Sequence, residues 1–106
     1  MNKKDKENLY NEAIRLWGIE SQIDMAIEEA SEFIKAVCKA KRICGEIEYL
    51  YLFEEMADLE IMLEQVKQIF GCHEEVEDQK QRKLVRLKRI IDEEAKRNHA
   101  NQDQLH

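Results

Sequence analysis

No proline occurs anywhere in the 106 residues, and the only glycines stand at positions 18, 45 and 71. These are the two residue types that most often interrupt a helix. A β-sandwich or barrel needs a turn every 8–12 residues or so, and three glycines cannot supply them. The spacing therefore predicts an all-α chain cut at three places. The first helix covers about residues 5–17, carries Leu9, Ile14, Leu16 and Trp17, and stops at Gly18. The second starts after Ser21, with Asp24 three residues on in the manner of a capping box, and runs to about Arg42. The third runs from about residue 46 to Phe70, with Gly71 as its C-terminal cap. The fourth begins near Glu74 and continues to about Arg97. Glu74, Glu75, Glu77 and Asp78 suit its positive N-terminal end. Short connections between helices of this length imply antiparallel neighbours, and so an antiparallel bundle of about four helices. Residues 1–98 read as a single domain. The tail, residues 99–106 (HANQDQLH), offers almost nothing to bury and is expected to be disordered.

Charge narrows the function. The formal net charge is −6, which argues against non-specific binding of nucleic acid. No apolar run approaches the roughly 18–20 residues of a membrane span, and MNKKDKEN at the start lacks the apolar core of a signal peptide. Cys38, Cys44 and Cys72 are odd in number and show no CxxC spacing, so reduced thiols in a cytoplasmic protein are expected rather than a zinc site.

The second helix contains an apolar stripe made of Ile23, Ala26, Ile27, Ala30, Phe33, Ile34 and Val37. Beside it lies a second stripe, Met25, Glu29, Glu32 and Ala36, at spacing i, i+4, i+7, i+11. The third helix repeats that spacing with Tyr51, Glu55, Asp58 and Met62. It is also apolar in two sectors, Leu52, Met56, Leu59 and Leu63 in one and Leu50, Phe53, Ala57 and Ile61 in the other. A helix apolar on two sides is contacted on two sides, so its acids are expected to be partly enclosed. If the two helices pack antiparallel, both acid pairs meet at one level. Glutamate-rich helical faces are usually solvated, and Glu32 has Lys35 as a simple partner. Two matching stripes, one on a helix apolar elsewhere, favour a site instead. Four carboxylates in a partly dry groove need either shifted pKa values or a cation. Oxygen donors without a nearby histidine suit a hard ion, Mg²⁺ or Mn²⁺.

EEASE at residues 28–32 followed by EEMAD at residues 54–58 resembles the EExxE…ExxD motif of MazG-like nucleoside triphosphate pyrophosphohydrolases, an all-α superfamily. Twenty-two residues separate Glu32 from Glu55, and the likeness extends from about Trp17 to Ile91. The resemblance implies Mg²⁺-dependent hydrolysis of a nucleoside triphosphate between its α- and β-phosphates, giving a nucleoside monophosphate and pyrophosphate. It implies that Glu29, Glu32, Glu55 and Asp58 hold the metal. It also implies a homodimer or homotetramer with helices shared between subunits, so that oligomerisation completes the bundle.

Within that expectation, Glu28 or Glu29 is the carboxylate placed to take a proton from water. The segment KQRKLVRLKR, residues 80–89, holds six Lys or Arg, among which Lys83 and Arg86 are the candidates for phosphate contact. A solvated basic face explains most of that segment equally well. Lys39 is a weaker candidate for phosphate. Gln22 and Trp17 are candidates for contact with the base, although a core role is the commoner one for a tryptophan. A di-iron bundle would need Glu-x-x-His pairs, and no histidine follows a central glutamate at that spacing. A non-catalytic helical adaptor is the remaining alternative.

Overall fold

The structure is a computed structural model that describes residues 1–104. Four helices account for nearly all of it: α1 Lys3–Trp17, α2 Ile19–Ile43, α3 Glu46–Phe70 and α4 His73–Gln104. There is no strand among the described residues. The described chain divides into two units, residues 1–71 and the residues from 72 onward.

The first unit is a long hairpin, α2 and α3, with α1 packed on it. The two hairpin helices have 25 residues each and are joined through Cys44 and Gly45 alone. Pairing confirms the antiparallel sense: Tyr51 meets Glu32, and Glu55 lies beside Glu29. The seam between them follows a 4-3 spacing. On α2 it takes Gln22, Ala26, Glu29, Phe33, Ala36 and Ala40; on α3 it takes Leu52, Glu55, Leu59, Met62, Val66 and Ile69. All of these are buried or half-buried. A repeat that averages 3.5 residues keeps one edge of a helix against its neighbour, as in coiled coils.

This shifts the expected core. Of the expected α2 stripe, Ala26 and Phe33 lie in the seam and Ile23 and Ala30 are half-buried, whereas Ile27, Ile34 and Val37 are exposed. The contact edge lies one position over, where the acids are. Ile27 is 64% exposed and Ile34 60%. The physical reason is the small size of Ala26, Ala36 and Ala40, which lets the two backbones approach along that edge. Of the residues in the described chain, only Ala36, Ala40 and Met62 are buried apolar ones.

Helix ends follow local chemistry. The capping box expected at Ser21 and Asp24 does not form, because α2 already starts at Ile19 and continues through Ser21. Gly18 makes this start. Its φ of 93° lets one residue end α1 and begin α2 without a longer connection. A capping box occurs instead at the start of α1, which begins two residues earlier than expected. The Asp5 amide donates to Asn2 Oδ1 at 2.8 Å, and the Asn2 amide donates to Asp5 Oδ2 at 3.2 Å. Gly71 caps α3 in the left-handed conformation as expected.

Cys44, not Gly45, takes the left-handed conformation at the end of α2, with φ 56° and ψ 33°. A side chain with a Cβ is strained there by about 1–2 kcal/mol, part of which glycine's unfolded-state entropy offsets. Cys44→Gly is therefore expected to raise stability by about 0.5–1 kcal/mol, read from the urea midpoint at constant slope.

The second unit is α4. The expected disordered tail is helical as far as Gln104, while residues 105 and 106 lie outside the described residues. Nothing between Gly71 and that point breaks a helix, and ion pairs at helical spacing line it, including Lys88 with Asp92 at 2.9 Å and Arg97 with Glu94 at 2.8 Å. No helix of the described chain is long and apolar enough to cross a membrane.

Candidate metal centre

Glu29 and Glu55 occupy seam positions where a coiled-coil pair normally carries apolar side chains. They are there because the 4-3 spacing of α2 and α3 puts them there; nothing in the local sequence turns them outward. Glu55 is 8% exposed, and its Oε2 atom has no hydrogen-bond partner. Asp58, one turn on, sits at the exposed margin. Carboxylate oxygens of Glu29, Glu55 and Asp58 lie within 4.8 Å of one another.

Such crowding raises the proton affinity of Glu29. Its carboxyl is pushed above the usual carboxylate range, first by loss of hydration, then by the negative charges of Asp58 and Glu55. A hydrogen bond to Glu55, which only protonated Glu29 can donate, and the charge of Glu28 add to this.

Glu32, the fourth acid of the two stripes, is not part of this group. Its Oε2 accepts a hydrogen bond from the Tyr51 hydroxyl at 3.0 Å. The carboxylate in turn holds the Tyr51 hydroxyl above its usual range. Tyr51 was legible only as an uncharged end of the α3 stripe. Its role as the holder of Glu32 depends on the register of the hairpin.

The donor set suits a hard cation. Three carboxylates converge from two helices, and one of them, Glu55, is buried with an unpartnered oxygen. Neighbouring ligands of an octahedral Mg²⁺ at about 2.1 Å stand roughly 3 Å apart, so binding one ion would draw the three oxygens together. Asp58, at the exposed margin, leaves the group open to solvent on that side. No histidine or cysteine belongs to the group, which disfavours zinc.

The other sequence candidates separate. Glu28 is exposed next to the group, and its backbone carbonyl accepts from the Ser31 hydroxyl at 2.8 Å. Gln22 is only 2% exposed and lies two turns before Glu29 along the same edge of α2. Lys39 is exposed on α2, two turns beyond Glu32 on the same flank. Trp17 is not a core residue. It is 61% exposed and lines a groove of about 660 Å³ between α1 and α3, with Leu9, Leu16, Ile61 and Gln65. The Gln65 side chain is buried and its Oε1 has no partner, whereas Gln68 donates to the Glu7 carbonyl at 3.2 Å and to Asn11 Oδ1 at 2.6 Å. Lys83 and Arg86 are exposed on α4, in the second unit.

Compared with known proteins, the chain matches no family model, no curated protein and no solved structure at a significant level.

Proposed function

We propose that the protein is a Mg²⁺-dependent nucleoside triphosphate pyrophosphohydrolase, with Mn²⁺ as an alternative ion, cleaving its substrate to a nucleoside monophosphate and pyrophosphate. One observation carries the reading: two glutamates occupy seam positions of a helical hairpin, with an aspartate converging on them. Acids in a seam destabilise the hairpin unless something compensates their charge. A cation compensates it, and a polyanionic substrate then has a reason to approach an acidic surface.

Glu29, Glu55 and Asp58 would hold the ion. Glu32, fixed by Tyr51, borders the same site and is placed to ligate through water or to orient it. Bound there, the cation would neutralise phosphate charge and acidify a water molecule. The chain's own residues do the rest. Glu28, exposed beside the group and not among its ligands, is the residue that would take the proton from the attacking water, with Glu29 as the alternative. The exposed side of Asp58 leaves the phosphates an open approach.

The test is a panel of ribo- and deoxyribonucleoside triphosphates incubated with the full chain. Pyrophosphate release is expected with Mg²⁺ and is expected to vanish in chelator. Monophosphate should appear in equal amount, without diphosphate. Release of orthophosphate with diphosphate would place the cut at the wrong bond. No product from any nucleotide with either ion would return the chain to the class of non-catalytic helical proteins.

A further inference from the structure

Beyond the acidic group, α3 changes character along one side. Asp58, Ile61 and Gln65 follow one another at i, i+3, i+7 and so share that side. From Asp58 to Gln65 the helix rises about 10 Å. Over that distance the surface passes from carboxylate to the apolar groove between α1 and α3. Leu9, Leu16 and Ile61 give the groove apolar walls, and Trp17 adds an exposed indole. Glu12 and Arg15 also line it; they stand 3.8 Å apart, so their charges offset each other. Gln65 lines the groove as well. It is 6% exposed, and its Oε1 has no hydrogen-bond partner. Gln68, one turn on, uses its amide on the Glu7 carbonyl and Asn11 Oδ1 of α1, and no donor among the described residues does the same for Gln65.

We infer that this groove takes the base of the nucleotide whose phosphates meet the acidic group, and that Gln65 selects a base carrying an exocyclic amine. The inference rests on the pyrophosphohydrolase reading for the phosphates; the groove supplies the rest. A buried acceptor left unmet is costly, and the partner it lacks is a donor. The last torsion of a glutamine is broad and roughly two-fold, so Oε1 can turn to the groove wall. There an exocyclic amine donates to Oε1 while the ring nitrogen beside it accepts from Nε2. This is the two-point pairing that glutamine makes with adenine. An aliphatic occupant would leave the amide unmet. The indole offers a stacking face to a planar base. A lining without net charge suits an uncharged ring better than a phosphate. The rise of about 10 Å between Asp58 and Gln65 also matches the reach of an extended nucleotide from phosphates to base.

Trp17 is the only tryptophan of the chain, so its fluorescence reports on the groove. The experiment titrates the full chain, in chelator, with adenosine and with purine riboside, which has hydrogen in place of the amine. Concentrations up to about 5 mM bring a Kd of roughly 1 mM within range. Neither nucleoside carries phosphate, so the readout does not depend on the metal centre. The expected result is a saturable change with adenosine, and binding of purine riboside at least about 10-fold weaker. Gln65→Met keeps the bulk and removes the amide; it should bring the two nucleosides to within about 2-fold of each other. Should that variant fail to fold, the wild-type ratio decides alone. No response to adenosine overturns the proposal. So does equal affinity of the wild type for both nucleosides, or a preference that survives Gln65→Met. Adenosine binding without hydrolysis of any triphosphate would keep the base site and end the pyrophosphohydrolase reading. Hydrolysis without an amine preference would do the reverse.

Discussion

Glu55→Gln is expected to abolish metal-dependent turnover and, at the same time, to stabilise the metal-free protein. The two effects have one cause. Glu55 is the buried member of the acidic group, with one carboxylate oxygen unpartnered. Removing its charge deletes a ligand just where a triphosphate needs the ion, and turnover should fall at least about 100-fold. Without metal, the same change relieves repulsion of Glu29 and Asp58 and is expected to contribute about 1 kcal/mol, seen as a rise of about 4–8 °C in the unfolding midpoint. Glu29→Gln and Asp58→Asn should act in the same two directions. Glu32→Gln should lower turnover too, with less gain in stability, because it also weakens the acceptor of the Tyr51 hydroxyl.

The control is Glu60→Gln, exposed on the same helix and outside the group. Glu64 is a poorer control, since it pairs with Lys67 at 2.9 Å. Acid pH offers a second check on the metal-free protein. The folded carboxyl of Glu29 binds its proton more tightly than the unfolded one, so this group favours folding increasingly as pH falls through its raised value toward 4.5. Glu29→Gln should remove that part of the pH dependence. Thermal unfolding in chelator and in Mg²⁺, together with turnover, measures all of this. Unchanged turnover in the cluster variants with undiminished Mg²⁺ stabilisation would end the metal-centre reading.

Leu59→Asp should cost the protein its fold. Leu59 is the half-buried seam residue that follows Glu55 by four positions and Asp58 by one. An aspartate there adds another carboxylate to a seam that already holds two, with no cation side chain in the seam to pair with it. Leaving a charge unpaired in a closed contact costs several kcal/mol, on the order of 3 or more. That is a large share of the roughly 5–15 kcal/mol that holds a domain together. Helical circular dichroism and urea unfolding read the result. Leu59→Met, which keeps the volume, should change stability by less than about 1.5 kcal/mol. A cooperative Leu59→Asp protein within about 0.5 kcal/mol of wild type would show that the seam is not the structural centre of the hairpin.

Much of this architecture was legible from three glycines. Gly18 and Gly71 take conformations at positive φ that other residues adopt only with strain, and Gly45 caps α3 in an extended conformation, so the breaks fell where the sequence put them. The α3 boundaries, from residue 46 to Phe70, followed directly. Ends set by capping were less legible. Ser21 with Asp24 and Asn2 with Asp5 both satisfy the capping pattern, and only Gly18, by starting α2 early, decides which one is used. Residues 99–104 continue α4, because local ion pairs and the absence of breakers suffice to extend a helix with little to bury.

For the candidate site, the sequence determined which acids are available and that two stripes of equal spacing carry them. It could not determine which edge of α2 meets α3. Hydrophobic periodicity gave one broad stripe from Ile23 to Val37, of which Ala26 and Phe33 lie in the seam and Ile27 and Ile34 do not, since periodicity reports where apolar area lies and not which partner covers it. The tertiary structure chose the alanine-bearing edge instead, because small side chains let two backbones come close along it. That choice moved Glu29 and Glu55 from a flank into the seam and left Glu32 to Tyr51. It also turned Ile27 and Ile34 outward, where only another surface can cover them. Composition and spacing fix local conformation through short-range sterics and hydrogen bonds; the helix edge that becomes the interior is settled by which pair of surfaces packs closest.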